Sequence, residues 1–377
     1  MEIRGHVSDG FDRVAEEFEE NFASRGDVGA GLAVMVGTDL VVDLYGGVTE
    51  PGGAPYTDAT LQMVASVTKG AMAICVLRLV DQGKVDLDAP LASYWPEFGA
   101  AGKERVTVRE ALAHRAGVPY LDGGLTVEDL VAWHPAAAKL AAQEPAWEPA
   151  TAHGYHAITH AWLVGELIRR VTGQLPGDFL ATEVCSPLGL DLYVGLPTAE
   201  HHRVSPLILP VPRAEPDEFS VRMLTAGTLA FRSFFVGDGL LGWLNLPELW
   251  SSQVPSGNGM GTARAVARMY AATTGEVDGI RLVSPETLAD AVRPQSEGPD
   301  LVTGYETRYA SGFQLSFPFR PMSGAGAFGH YGLGGSVGFA DRERGFSFGY
   351  TVNQMGPATP ADARSVALID AVVDCLG

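Results

Sequence analysis

The strand-like segments of this chain lie towards its two ends, and a long helical stretch separates them. Two short apolar runs, Gly31-Leu-Ala-Val-Met-Val36 and Leu40-Val-Val-Asp-Leu-Tyr45, flank Gly37-Thr38-Asp39, a hairpin signal. Strand-like patterns return only after residue 300, at 312–317, 338–340 and 345–352. A doubly wound parallel sheet needs strand and helix to alternate, and that alternation is missing. The chain is therefore expected to build an antiparallel sheet and to carry its helices in blocks.

Those blocks are legible from apolar spacing. Phe11, Val14, Phe18 and Phe22 make the first 22 residues read as an amphipathic helix. Residues 66–82 read as a second, with Ala71, Ile74, Leu77 and Leu79 as apolar contacts and Gly83 as its C-terminal cap. Thr107 and Glu110 have the spacing of a capping box for a helix over 107–115. Residues 126–142 are helical with an interruption at Pro135, and 157–171 put Ile158, Ala161, Trp162, Gly165, Ile168 and Val171 on one face. Further helices are predicted over 262–274 and 361–375. The stretch 196–260 differs, because the proline-rich 205–212 leads into Phe231, Phe234, Phe235, Trp243 and Trp250. So many aromatics in one long connection predict a packed lid or pocket wall.

Composition narrows the function classes. With 377 residues the chain can bury one large core, or two subdomains that share it. Hydrophobic residues at 46% and charged residues at 19% support that core and exclude general disorder. A net charge of −19 opposes phosphate backbones and anionic lipid, so no nucleic-acid or membrane partner is expected. Cys75, Cys185 and Cys375 are too few and too scattered for a metal site or a disulfide framework. The adjacent His201 and His202 read as an exposed pair rather than ligands, so no metal or cofactor is implied. The N-terminal segment lacks a basic region followed by an apolar run, and no window approaches a bilayer span. The expected compartment is the cytoplasm.

The chemistry begins at Val64-Ala-Ser66-Val-Thr-Lys69-Gly. On a helix, residues three apart share a face, so the Lys69 amine can approach the Ser66 hydroxyl, which needs a nearby base to act as a nucleophile. A helix N-terminus also offers Ser66 a positive dipole end and a free N–H for a developing oxyanion. With four lysines in the chain, Ser-x-x-Lys arises by chance about 0.2 times in such a sequence, so the motif alone is only suggestive. It is accompanied by Tyr155 immediately before a long helix and by His330-Tyr331-Gly332 near a late strand. Leu112-Ala-His-Arg-Ala-Gly117 and Asn258-Gly-Met-Gly-Thr-Ala-Arg264 complete the set.

In that order the motifs resemble class C β-lactamases, penicillin-binding proteins and the related family VIII carboxylesterases, over roughly residues 28–355. The resemblance implies an α+β, β-lactamase/transpeptidase-like fold: an antiparallel sheet flanked by helices, a mostly helical subdomain, and the active site between them. Residues 1–65 and 280–377 would form the sheet part, and 66–279 the helical part with its aromatic lid at 196–260. The resemblance further implies that Ser66 carries the acyl group, that Lys69 and Tyr155 share the work of general base and proton relay, and that the N–H groups of Ser66 and Leu333 form the oxyanion hole. Which of Lys69 and Tyr155 is the base stays open. His330, Tyr331, Gly332, His156, Phe235 and Trp243 are the expected substrate contacts. His153 is a further candidate at the pocket border, whereas His114 and His160 are expected to make structural hydrogen bonds.

Two departures shape the expected activity. The Tyr-x-Asn of β-lactamases is here Tyr155-His156-Ala157, and alanine has no amide to hold the lysine or a substrate carbonyl. Their Lys-Thr-Gly is here His330-Tyr331-Gly332, which replaces a fixed ammonium by an imidazole that is mostly neutral at pH 7. Substrates that carry a carboxylate lose an anchor. The expected reaction is hydrolysis of a small ester or activated acyl donor through acyl-Ser66. Passage of the acyl group to an amine or alcohol acceptor is the alternative, and D-amino-acid peptidase, β-lactamase or non-catalytic binding roles are less favoured.

Overall fold

The computed structural model describes residues 2–210, 215–236, 241–356 and 362–377. Nine strands make one antiparallel sheet in the order β1-β3-β2-β13-β12-β11-β10-β9-β8. They are β1 (Ile3–Val7), β2 (Gly29–Val36), β3 (Asp39–Gly47), β8 (Ser296–Pro299), β9 (Glu306–Tyr309), β10 (Gln314–Leu315), β11 (Ala327–Tyr331), β12 (Val337–Asp341) and β13 (Phe346–Val352). The two ends of the chain meet in its middle, where Leu32 of β2 lies opposite Tyr350 of β13 and Val34 opposite Phe348.

Both faces of these central strands are covered, which explains why they are buried along their length. Along β13, Phe346, Phe348, Tyr350 and Val352 join the core formed with α1 (Asp12–Ala23) and the C-terminal helix Ala363–Leu376. The alternate residues are small because another helix, Ala263–Thr274, packs close on that face. A Cβ on Gly349 would stand 2.2 Å from the Ala263 carbonyl oxygen, and the Ser347 hydroxyl donates to Ala267 O at 2.8 Å. A strand reading of period two, large then small, is thus a record of two unequal helix distances. The helix Ala263–Thr274 lies on the sheet, although the boundary at 279/280 puts it with the helical part.

Between the halves lies a second sheet of four very short strands, in the order β5-β7-β4-β6. It comprises β4 (Leu61–Ala65), β5 (Leu192–Tyr193), β6 (Val204–Ser205) and β7 (Gly259–Gly261). From β4 the chain passes into α2 (Val67–Asp81), a helix buried on nearly all sides. Gly83 follows it with φ +69°, the left-handed geometry expected of the residue past a helix end. The Thr107–Glu110 capping box is present, but its helix is short, Val108–Leu112, and the chain turns at His114 with φ +62°. Residues 126–142 form two helices, Val127–Ala132 and His134–Ala142. The break is at Trp133 rather than Pro135, because proline fits the first turn of a new helix. The predicted helix over 157–171 begins three residues later, as α3 (His160–Thr172). Within 196–260 the structure places the helices Glu218–Leu224, Leu229–Phe234 and Pro247–Ser251; residues 211–214 and 237–240 of that stretch lie outside the described ones, as does 361 of the last predicted helix.

The first five described strand residues were not legible as a strand. β1 is an edge strand, mostly exposed, and its identity rests on pairing with β3 rather than on an apolar pattern. Among the described residues, no helix is long and apolar enough to cross a membrane.

Gly70, one residue past Lys69, sets how closely α2 meets the helix Ala263–Thr274. A Cβ there would lie 2.0 Å from the Tyr270 hydroxyl oxygen, which is buried without a hydrogen-bond partner. Gly70→Ala is expected to lower stability by about 2 kcal/mol through overpacking. Adding Tyr270→Phe removes the colliding atom and should recover most of that loss, measured as paired shifts of the urea midpoint.

Candidate active site

Ser66 stands at the junction of β4 and α2. Ala65 before it has φ +47°, a left-handed conformation that disfavours a residue with a Cβ and costs roughly 1–2 kcal/mol. Thr68 holds this bend: its hydroxyl donates to Ala65 O at 2.6 Å and accepts from Gly259 N at 2.9 Å. The serine is thereby turned out of the strand at the helix N-terminus.

Lys69 and Tyr155 converge on it. Tyr155 Oη lies 2.7 Å from Ser66 Oγ, and Lys69 Nζ lies 3.2 Å from the same atom. Lys69 is fully buried, and Nζ also meets two backbone carbonyls, Ala157 O at 2.8 Å and Ser256 O at 2.7 Å. Among the described residues no carboxylate pairs with it, and burial holds its pKa well below that of an ordinary lysine. A neutral amine has two N–H bonds and one lone pair. The two carbonyls take both N–H bonds, and the lone pair is left facing the serine hydroxyl.

The surrounding sequence presents those carbonyls. Asn258 knots the loop before it: its Oδ1 accepts from Val254 N at 2.9 Å, and its Nδ2 donates to Leu249 O and Ser252 O at 2.7 Å each. That loop carries Ser256. Ala157 follows Tyr155 in the segment preceding α3, so one short stretch supplies both the phenol and a carbonyl for the amine.

Burial governs the other titratable groups as well. It pushes the Tyr155 phenol above its usual range, with the hydrogen bond to Ser66 pulling the other way. Lys69 Nζ sits 4.9 Å from the centre of the Tyr155 ring. His156 has both nitrogens occupied by backbone: Nδ1 donates to Gly154 O at 2.7 Å, and Nε2 accepts from Val118 N at 3.1 Å. Burial lowers its pKa to about 3. His114 stacks on it, His160 lies tilted against His114, and both are held well below the usual histidine range, chiefly by burial.

The third motif lies on the sheet side. A Cβ on Gly332 would be 2.4 Å from Val64 O, so only glycine lets the end of β11 approach β4 this closely. This brings the next peptide, whose N–H belongs to Leu333, to the side of the cleft where Ser66 stands. Neither the Ser66 N–H nor the Leu333 N–H has a backbone acceptor among the described residues. The loop is anchored from behind by Arg364, which donates to Gly334 O at 3.1 Å and is paired with Asp27 and Asp362. His330 Nδ1 donates to Tyr331 O at 2.6 Å, while Nε2 is buried without a partner near Tyr155.

Several expected substrate contacts fall elsewhere. His156 is sealed off by the backbone bonds just given. Tyr331 points to the opposite face of the sheet, where its hydroxyl donates to Pro321 O at 2.5 Å. Phe235 stacks on Phe231 at 4.5 Å, and Trp243 is buried in the core. The helix Leu229–Phe234 ends at Phe234, and Phe235, extended just past it, turns back onto Phe231. Phe234 instead lines the cleft beside Tyr155, with Phe219, Tyr305, Tyr309, Phe317 and Phe319. The cleft is narrow, with a cavity volume of about 30 Å³, and has Gln314 and Arg320 among its few polar walls. His153 contacts Thr307 at 2.9 Å, and His201 and His202 bond to Ser251 and Ala199. Phe219, Gln314 and the two carbonyls on Lys69 were missed, because backbone oxygens carry no signature in a sequence and neither side chain belongs to a motif.

The chain is similar to known proteins along most of its length. The sequence model of the β-lactamase family matches residues 11–372. The chain is 34% identical over 362 residues to the esterase/β-lactamase LipL of Mycobacterium tuberculosis, covering 94% of this chain and 83% of that protein. A crystal structure of a family VIII carboxylesterase superposes over the whole of both chains with a TM-score of 0.88 at 35% identity. A penicillin-binding protein homolog from Caulobacter crescentus does so with a TM-score of 0.90 at 37% identity.

The amine can accept a proton only while uncharged, so kcat/KM should fall as pH drops through the lowered Lys69 pKa. Lys69→Met is expected to lower kcat by about 10³-fold. Between the folded pKa and 10.5 the unfolded chain binds the extra proton, so the native lysine costs most stability at low pH. The stability of Lys69→Met relative to the parent should therefore improve as pH is lowered from 10 to 7, read from denaturation midpoints. The buried histidines act in the same direction at lower pH: stability should decline once the pH falls below 6.5, and replacing His156 by Gln should soften that decline.

Proposed function

The chain belongs to the β-lactamase family, and on that footing we propose that it is a serine esterase that cleaves small carboxylic esters through an acyl group on Ser66. The observation that carries this reading is the convergence of Tyr155 Oη at 2.7 Å and Lys69 Nζ at 3.2 Å on one serine hydroxyl, beside an aromatic cleft.

In this mechanism Ser66 Oγ attacks the ester carbonyl and passes its proton to the Lys69 lone pair. Lys69 is the acceptor because burial favours a neutral amine and disfavours a Tyr155 phenolate. The oxyanion is held by the N–H groups of Ser66 and Leu333, a type of contact worth about 10²–10³ in kcat per donor. Tyr155 hands a proton to the departing alkoxide, and the proton that Lys69 took from Ser66 restores the phenol, which leaves a neutral amine beside the acyl group. Water then enters by the reverse path and releases the acid.

Esters suit this site better than β-lactams or peptides. With Ala157 in place of an asparagine, a backbone carbonyl steadies the lysine, and no side-chain amide remains there for a substrate amide. His330, uncharged in its buried position, offers no fixed cation for a carboxylate. The aromatic walls favour an apolar acyl group of modest size. The net charge of −19 and the free thiols of Cys75 and Cys185 support a small uncharged substrate and a reducing, cytoplasmic setting.

Intact-mass spectrometry with p-nitrophenyl esters of rising acyl length should show a transient adduct on Ser66, absent in Ser66→Ala, and stoichiometric free acid. Tyr155→Phe should slow turnover by about 10²-fold or more. Free acid should remain the product when amines or alcohols are added. Conversion of the acyl group into a new amide or ester would reassign the chain to acyl transfer.

A further inference from the structure

Tyr155 reaches Ser66 from a segment, 152–156, that belongs to no helix or strand. The position of its phenol therefore depends on what holds its backbone. Its N–H finds an acceptor 145 residues away, in Asp300 Oδ1 at 3.1 Å. The same oxygen accepts from Val302 N at 2.9 Å and Thr303 N at 2.8 Å. Oδ2 receives the Thr307 hydroxyl at 3.3 Å, and that hydroxyl stands 2.9 Å from His153 Nε2. Leu301 N closes the seam by donating to His153 O at 3.1 Å.

Asp300 is 2% exposed, so its acceptors have little recourse to water. An ionised carboxylate only accepts, which matches three N–H groups and one O–H group converging on it. It sits in the turn between β8 and β9. That hairpin also supplies Thr303, Tyr305, Thr307 and Tyr309 to the wall of the cleft. One buried side chain therefore ties the acyl-pocket wall to the backbone of the residue that touches the nucleophile. None of the sequence motifs contains it.

We propose that Asp300 is a positioning residue for catalysis: it locks the β8–β9 hairpin to the Tyr155 segment, so that the phenol keeps its place on Ser66 while the pocket wall receives the acyl group. This rests on the reading of Ser66 as nucleophile and Tyr155 as its proton relay. Asp300→Asn keeps the shape but weakens the acceptor and removes its charge. Thr307→Val leaves the three N–H bonds and removes the hydroxyl link.

A double-mutant cycle with Tyr155→Phe separates positioning from mere stability. Asp300→Asn should lower kcat for p-nitrophenyl butyrate about 10-fold or more, with KM changed less than threefold. In the Tyr155→Phe background the same substitution should lower kcat less than twofold. Thr307→Val should follow the same pattern at smaller amplitude, and supplies the cycle if Asp300→Asn does not fold. Equal losses in both backgrounds, or unchanged kcat in a folded variant, would overturn the proposal. Mass spectrometry of the unmutated protein keeps the premise separate. Failure to acylate Ser66 sinks the esterase reading, whereas normal acylation with a fully additive cycle sinks this inference alone.

Discussion

An amine without a counter-ion lies at the centre of this molecule. Lys69 is fully buried, its Nζ is met by two backbone carbonyls and one hydroxyl, and no acid among the described residues neutralises it. A charged ammonium in that position would be costly, and burial resolves the conflict by favouring the neutral form. Much of the surrounding architecture can be understood as the means of keeping the site dry and the two carbonyls in place. α2 is buried on nearly every side, the Asn258 knot presents Ser256, and the segment before α3 presents Ala157.

The neighbouring histidines fit the same constraint. His114, His156, His160 and His330 are all buried, and all are displaced towards their uncharged forms by burial and by the nearby amine. An acidic partner in their place would have pulled the proton back onto Lys69. Despite a net charge of −19, the carboxylates among the described residues stay away from the amine. Asp300, the buried carboxylate near Tyr155, is enclosed by N–H donors and a hydroxyl.

The large sheet solves a different problem, that of bringing distant stretches of chain into register. β2 and β13 join the two ends, and β11 carries its motif to the edge of β4 through a glycine contact that no other residue permits. The ion-paired Arg364 on the C-terminal helix then fastens the Gly334 loop. Stability and catalysis share these elements, and backbone strain at Ala65 marks the point where the strand must release the serine.

Much of this was written in local chemistry. The hairpin at Gly37, the cap at Gly83, the Thr107–Glu110 box and the Ser66–Lys69 spacing depend on neighbours within a turn or two of chain, and such patterns survive in a one-dimensional string. The family resemblance added Tyr155 and the β11 motif by their order. What the string lacks is anything whose meaning depends on a partner far away. The edge strand β1 has no apolar period, and the four short strands around β4 are two to five residues long. The choice of Phe234 over Phe235 for the cleft followed from where the helix ends, since Phe235 lies just past it and packs on Phe231. The two carbonyls on Lys69 and the Asp300 link to Tyr155 span 88, 187 and 145 residues. The sequence by itself determined which groups could do acyl chemistry, because reactivity resides in side-chain identity. Only the tertiary structure decided their charge and their contacts, because desolvation and hydrogen bonding arise when remote segments exclude water together.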